Sequence, residues 1–164
     1  MREEKAAIAQ HLHLIETLHG RGAYRDSYEC AKAALVEHSA ASADPRAMAR
    51  LRILAAKSAY YVGAFDESIA LLDEAGATLP RSGGAMGPAL ALEAALVRAN
   101  VLRRRGRFAD AIAAIDAAGA DASAEAAPAL LVERLLIERA CRFYLNETRR
   151  AEELLEAGLG LALH

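Results

Sequence analysis

The feature that most limits what this chain can fold into is a punctuation mark that recurs. Gly22, Gly63 and Gly106 lie 41 and 43 residues apart, and Asn146 follows 40 residues later. Asn is the usual substitute for Gly where the backbone takes a positive φ, as it does just past a helix C-terminus. A second series runs in step with the first: Pro45, Pro88 and Pro128 each lie 18 residues before their Gly or Asn. Proline suits the first turn of a helix and glycine its end, so the two series bracket a helix of constant length. Asp44, ahead of Pro45, supplies an N-cap. The variation in spacing falls in the stretches "SAASADP", "PRSGGAMGP" and "GADASAEAAP", which carry turn residues. The first unit lacks the proline, and its helix is expected to begin near Glu3 or Glu4.

A second helix is expected to start just past each Gly or Asn. Its first turn carries Asp26, then Asp66 and Glu67, then Asp110, then Glu152 and Glu153. Carboxylates there complement the positive end of the helix dipole. An aromatic residue (Tyr24, Phe65, Phe108) stands two residues past the glycine and can pack across the turn. Three further on comes a small residue (Ser27, Ser68, Ala111, Ala151) that lets two helices approach closely. Leu72 and Ile115, with Ala75 and Ala118, continue an apolar stripe at helical spacing.

Composition agrees. The chain of 164 residues is 54% hydrophobic but only 5% aromatic, dominated by Ala and Leu and poor in β-branched residues, which favours an all-α fold with a sizeable core. A formal net charge of −2 offers no global excess to attract nucleic acid or membrane. Cys30 and Cys141 stand far apart within helical segments and read as reduced core thiols. The opening "MREEKAAIAQHLH" has no apolar run and does not read as a signal peptide, and no stretch reaches the roughly 18 apolar residues of a membrane span. These features lead to the expectation of a soluble, cytoplasmic protein.

The order Gly, aromatic, small, bulky, small in "GAFDESIALLDEAGATLP", "GAYRDSYECAKAAL" and "GRFADAIAAIDAAG" resembles the tetratricopeptide repeat. The resemblance covers the whole chain as four helix pairs, residues 3–43, 44–86, 87–126 and 127–164 of one domain. The units are longer than the usual length of about 34 residues, because the first helix gains a turn and the loops are long. The resemblance implies an all-α, right-handed superhelical solenoid of about eight antiparallel helices; a generic α-hairpin array is the alternative. Similar long units occur in the sensor and scaffold regions of large bacterial regulators. Repeat four fits less well. Aligned on Asn146, its core-facing positions receive Glu138, Arg139 and Arg142, whereas a one-residue slide of the first helix substitutes Ala140 and Phe143. The slide is therefore expected.

Little in the chain suggests chemistry. "SGGAMG" has neither dinucleotide nor phosphate-loop spacing and reads as a connector. His11 and His13 face roughly opposite ways on a helix, and with His19 and His38 they read as surface or half-buried residues, so no metal, cofactor or catalytic residue is expected. "VLRRRGRF" is the strongest charge cluster, but cations are favoured at a helix C-terminus and the run lacks the broad basic surface that nucleic acid requires.

In repeats of this type the first helices line a concave groove. Counting back from each glycine assigns to it Leu12, Glu16 and His19, then Ile53, Lys57, Tyr60 and Tyr61, then Leu96, Asn100, Arg103 and Arg104, then Leu136, Phe143 and Tyr144. Tyr and Arg dominate binding hot spots, and Lys57, Asn100, Arg103 and Arg104 suit an acidic side chain or terminal carboxylate. The expected partner is thus a protein or peptide segment, acidic in character. The bland alternatives are tyrosines packed between repeats and arginines in water. The last helix carries Leu154, Leu155, Leu159, Leu161 and Leu163, although a terminal repeat normally turns a polar face outward. Those leucines imply a piece of a longer array, a homodimer or docking surface, or an end that folds back.

Overall fold

A computed structural model describes residues 2–38, 44–81, 87–118 and 127–162. The connecting stretches between them and Leu163 lie outside the described residues, as does most of "SGGAMG". Among the described residues there are eight helices and no strand: α1 (Arg2–Gly20), α2 (Tyr24–His38), α3 (Pro45–Val62), α4 (Phe65–Arg81), α5 (Pro88–Arg104), α6 (Phe108–Ala117), α7 (Pro128–Tyr144) and α8 (Thr148–Ala162). No described helix is long and apolar enough to cross a membrane.

The local signals act as their chemistry requires. Gly22, Gly63, Gly106 and Asn146 take φ of 75°, 85°, 72° and 61°. Each closes its helix with the same pair of backbone bonds. The amide of the Gly or Asn donates to the carbonyl three residues back (His19, Tyr60, Arg103, Phe143). The next amide donates to the carbonyl five residues back (Leu18, Ala59, Leu102, Arg142). This is the Schellman arrangement, made four times, and it satisfies carbonyls that the helix end would otherwise strand. Pro45, Pro88 and Pro128 stand in the first turns of α3, α5 and α7, and the Asp44 carboxylate accepts from the amides of Arg46 and Ala47 at 3.0 and 3.1 Å.

The chain forms two compact units, residues 1–86 and 87–164, each holding two helix pairs. Within the first, α1 packs on α2, α3 on α4, and α3 also against α1 and α2; within the second, α5, α6, α7 and α8 repeat that pattern. The small residue of each second helix sits at the closest approach: Ser27, Ser68, Ala111 and Ala151 are all buried. In the first unit the hydroxyls of Ser27 and Ser68 donate to the carbonyls of Ile15 and Ala56, each twelve residues upstream, at 3.2 and 2.8 Å. Because the Ser27 proton is so used, Ser58 of α3 donates to the Ser27 oxygen at 2.7 Å, tying three helices together. The second unit fills the same seam with Leu92, Leu96, Ala99, Ala111, Ile112, Ile115, Ile137 and Cys141.

Four expectations are corrected. Repeat four does not slide: the turn at Asn146 matches the other three bond for bond, so the alignment on Asn146 holds. The charge this brings inward is accommodated by pairing. Glu138 is only 7% exposed, and Arg142 Nε donates to its Oε1 at 2.9 Å while Nη1 reaches Glu147 at 2.6 Å. Phe143, which the slide would have buried, is exposed. Glu152 and Glu153 lie beyond the first turn of α8, which carries no acidic residue; Glu153 instead pairs with Arg149 and Arg150 of the preceding turn. Ile53 and Leu96 are buried and line no open surface. Leu154 is likewise buried, because it belongs to the face of α8 that packs on α7.

Candidate binding surfaces

The turn geometry gathers aromatic rings at one end of each unit. The residue two past a glycine begins a second helix, and the residue two before the next glycine or Asn stands in the last turn of a first helix. In the first unit these are Tyr24 and Tyr61, whose rings stack with centroids 4.2 Å apart and planes 13° from parallel. In the second they are Phe108 and Tyr144, stacked at 4.7 Å and 7°. The aromatic residue past the glycine also packs across its own turn, as its position suggested: Tyr24 meets His19 at 5.0 Å and Phe65 meets Tyr60 at 6.0 Å. Its stacking partner in the following pair, by contrast, depends on how two pairs pack. The outer rings stay open to solvent: Tyr61 is 45% exposed, Phe143 56% and Tyr144 61%. Stacked, half-exposed rings offer apolar area with few rotamers left to freeze.

The remaining groove candidates divide between the units. In the first, Glu16 is ion-paired with Arg50 of α3, so its carboxylate is already committed. His19 lies edge-on to Tyr61 at 4.9 Å and is half-buried. Burial first, and the nearby Lys57 ammonium second, bring its pKa down to about 4, so at neutral pH the ring carries no charge. Lys57 and Tyr60 are also half-buried, and Tyr60 touches Tyr61 at 5.0 Å. In the second unit Asn100 bridges two helices: its amide donates weakly to Glu133 of α7 at 3.4 Å and its carbonyl accepts from Arg103 at 3.3 Å. The buried Arg103 Nε has no hydrogen-bond partner among the described residues. Arg104 is exposed.

Residues gathered from distant positions brought together here what spacing alone did not suggest. His11 meets His38, at the end of α2, and does not pair with its sequence neighbour His13; the ring nitrogens Nδ1 and Nε2 are 3.1 Å apart. Glu37 Oε2 lies 3.9 Å from His11 Nε2. Among the leucines of α8, Leu155 is half-buried while Leu159 and Leu161 are exposed, 55% and 41%. Cys30 is half-buried and Cys141 fully buried, and burial pushes both thiols up, away from the thiolate form that reacts or binds metal.

The chain matches no family model, and no curated protein or solved structure proves similar to it.

Proposed function

We propose that the chain is a non-catalytic interaction module of tetratricopeptide-like construction that binds a protein or peptide segment. The observation that carries this reading is the half-exposed aromatic stack repeated at the same register in both units, Tyr24 on Tyr61 and Phe108 on Tyr144. Ring faces alone would take any apolar segment. Lys57 beside the first stack, and Arg103 and Arg104 two to three residues before Gly106, favour a segment with acidic side chains or a terminal carboxylate. The long-unit resemblance favours a regulatory or scaffolding protein of bacterial type, and the reading of Cys30 and Cys141 as reduced thiols favours the cytoplasm.

The test is selection from a random peptide library, followed by affinity measurement on the wild type, on Tyr61→Ala with Tyr144→Ala, and on Arg103→Glu with Arg104→Glu. Circular dichroism checks that each variant is folded. Enrichment of acidic peptides whose affinity falls at least about tenfold, some 1.4 kcal/mol, in both variants supports the reading. Peptides bound equally well by all three proteins overturn it.

A second reading has its own observation. Leu159 and Leu161 are large apolar residues exposed on the last helix, which suits pairing with a second copy or with a neighbouring domain. Sedimentation of the wild type against Leu159→Lys with Leu161→Lys separates this assembly role from the first.

A further inference from the structure

We propose that His11, His38 and Glu37 form a binding site for a borderline divalent cation, zinc above all, independent of the aromatic surfaces. Four observations converge on it. His11 Nδ1 and His38 Nε2, from different helices, stand 3.1 Å apart. Two imidazole nitrogens held at 2.0–2.1 Å from a tetrahedral zinc are separated by about 3.4 Å, so the pair is within a few tenths of an ångström of ligating distance. The rings meet at 68°, edge towards face, and not stacked in parallel.

The third ligand is at hand. A ligand atom from each of His11, Glu37 and His38 lies within 4.8 Å of the other two. Closing the carboxylate onto the metal requires the side chain to swing from His11 Nε2, beside which its Oε2 lies, towards the Nδ1 side that faces His38. The Glu37 side chain is 60% exposed and free to do so, whereas His38 is buried and holds the site in place. Finally, His38 ends α2, where the negative end of the helix dipole favours a cation.

An N–H···N hydrogen bond between the two rings, one donating and one accepting, accounts for the 3.1 Å distance, and a metal would take the place of the proton that the two nitrogens share. Two imidazoles and one carboxylate make the three-ligand set that leaves a fourth position for water or for a donor from a bound partner. Sequence spacing hides the site because its members come from residues 11, 37 and 38 and only the packing of α1 on α2 brings them together.

The test uses the full chain without an affinity tag, stripped with chelator, titrated with Zn²⁺ by calorimetry and with Co²⁺ by absorbance. The expected result is saturation at one equivalent, a tetrahedral cobalt spectrum and a metal-dependent rise in Tm. His11→Gln keeps an amide able to hydrogen-bond to His38 while removing the imidazole, so it tests ligation in a folded protein. Its affinity should fall by at least about tenfold, and that of Glu37→Gln by a similar factor. Undiminished binding by folded His11→Gln overturns the site. Undiminished binding by Glu37→Gln overturns the three-ligand assignment. An octahedral cobalt spectrum, or no saturable binding, overturns the proposal outright.

Discussion

The two units repeat one geometry with two chemistries. Where the first joins its helices by Ser27, Ser58 and the Ile15 carbonyl, the second places Ala111 and Cys141 at the corresponding positions, five past and five before a turn. The first seam is hydrogen-bonded and the second is dry, yet the helix pairs pack in the same pattern. Close approach thus depends on the size of the side chain at the crossing, and a hydroxyl is accepted where a carbonyl or second hydroxyl meets it. The second unit keeps its polarity elsewhere, in the chain Glu138, Arg142, Glu147 at the end of α7.

That contrast can be broken at its most costly point first. Arg142→Ala strands the buried Glu138 carboxylate and is expected to cost about 3 kcal/mol in chemical denaturation, whereas Glu138→Leu with Arg142→Met, which removes both charges, should be near neutral. A double variant as damaged as Arg142→Ala would show that the ion pair itself, and not the stranded charge, holds α7.

The serine seam comes next. Ser27→Ala leaves the Ser58 hydroxyl buried without its acceptor and is expected to cost about 2 kcal/mol. Adding Ser58→Cys, which copies the second unit's pair, should recover about half of that. The reverse change, Ala111→Ser, places a hydroxyl twelve residues past the Ala99 carbonyl, as in the first unit, and should stay within about 1 kcal/mol of wild type. If Ala111→Ser destabilises as much as Ser27→Ala, the two seams are not equivalent in geometry.

A smaller effect separates the turns. Gly63 at φ 85° has nothing within 4 Å of an added Cβ, so Gly63→Ala measures backbone strain alone, about 1 kcal/mol. Asn146→Gly should stabilise by a few tenths of that, because Asn tolerates the left-handed region less well than Gly. Equal melting of wild type and Gly63→Ala would remove the left-handed turn as the reason for glycine there.

A further difference is in pH. His19, three residues before its turn, corresponds to Arg103 in the second unit. Its pKa of about 4 lies below the ordinary 6.5. Above 6.5 the ring is neutral in folded and unfolded chains alike. Between 6.5 and about 4 the unfolded chain takes up a proton that the folded one refuses, so stability falls as the pH falls through that window and levels off below it. His19→Phe should flatten that part of the profile; an unchanged slope would place the acid sensitivity at another group.

Much of this was legible beforehand, and the reason is local. A glycine at positive φ, a proline in a first turn and a small residue at a crossing act through their own backbone or their own bulk. Gly22, Pro45 and Ser27 could therefore be read from spacing. Repeat four is illegible residue by residue because Glu138 and Arg142 look unfit for a seam singly and fit it together, paired across one helical turn. The candidate surfaces were legible as residue types, Tyr60, Tyr61, Arg103 and Tyr144, but not as stacks. Spacing marks Tyr24 and Phe108 as parts of turns, and the fold makes them partners of Tyr61 and Tyr144 as well.

By itself, then, the order of residues determined where the first helix of each pair stops and the second starts, because those boundaries are decided by φ preferences, missing amides and orphan carbonyls within a few residues. Only the tertiary structure decided that His11 meets His38 and not His13, that Tyr61 lies on Tyr24, and that Leu154 is core while Leu159 is surface. Such choices depend on which helix faces cross and at what distance, and that is a property of the packed pairs, carried by no single stretch of chain.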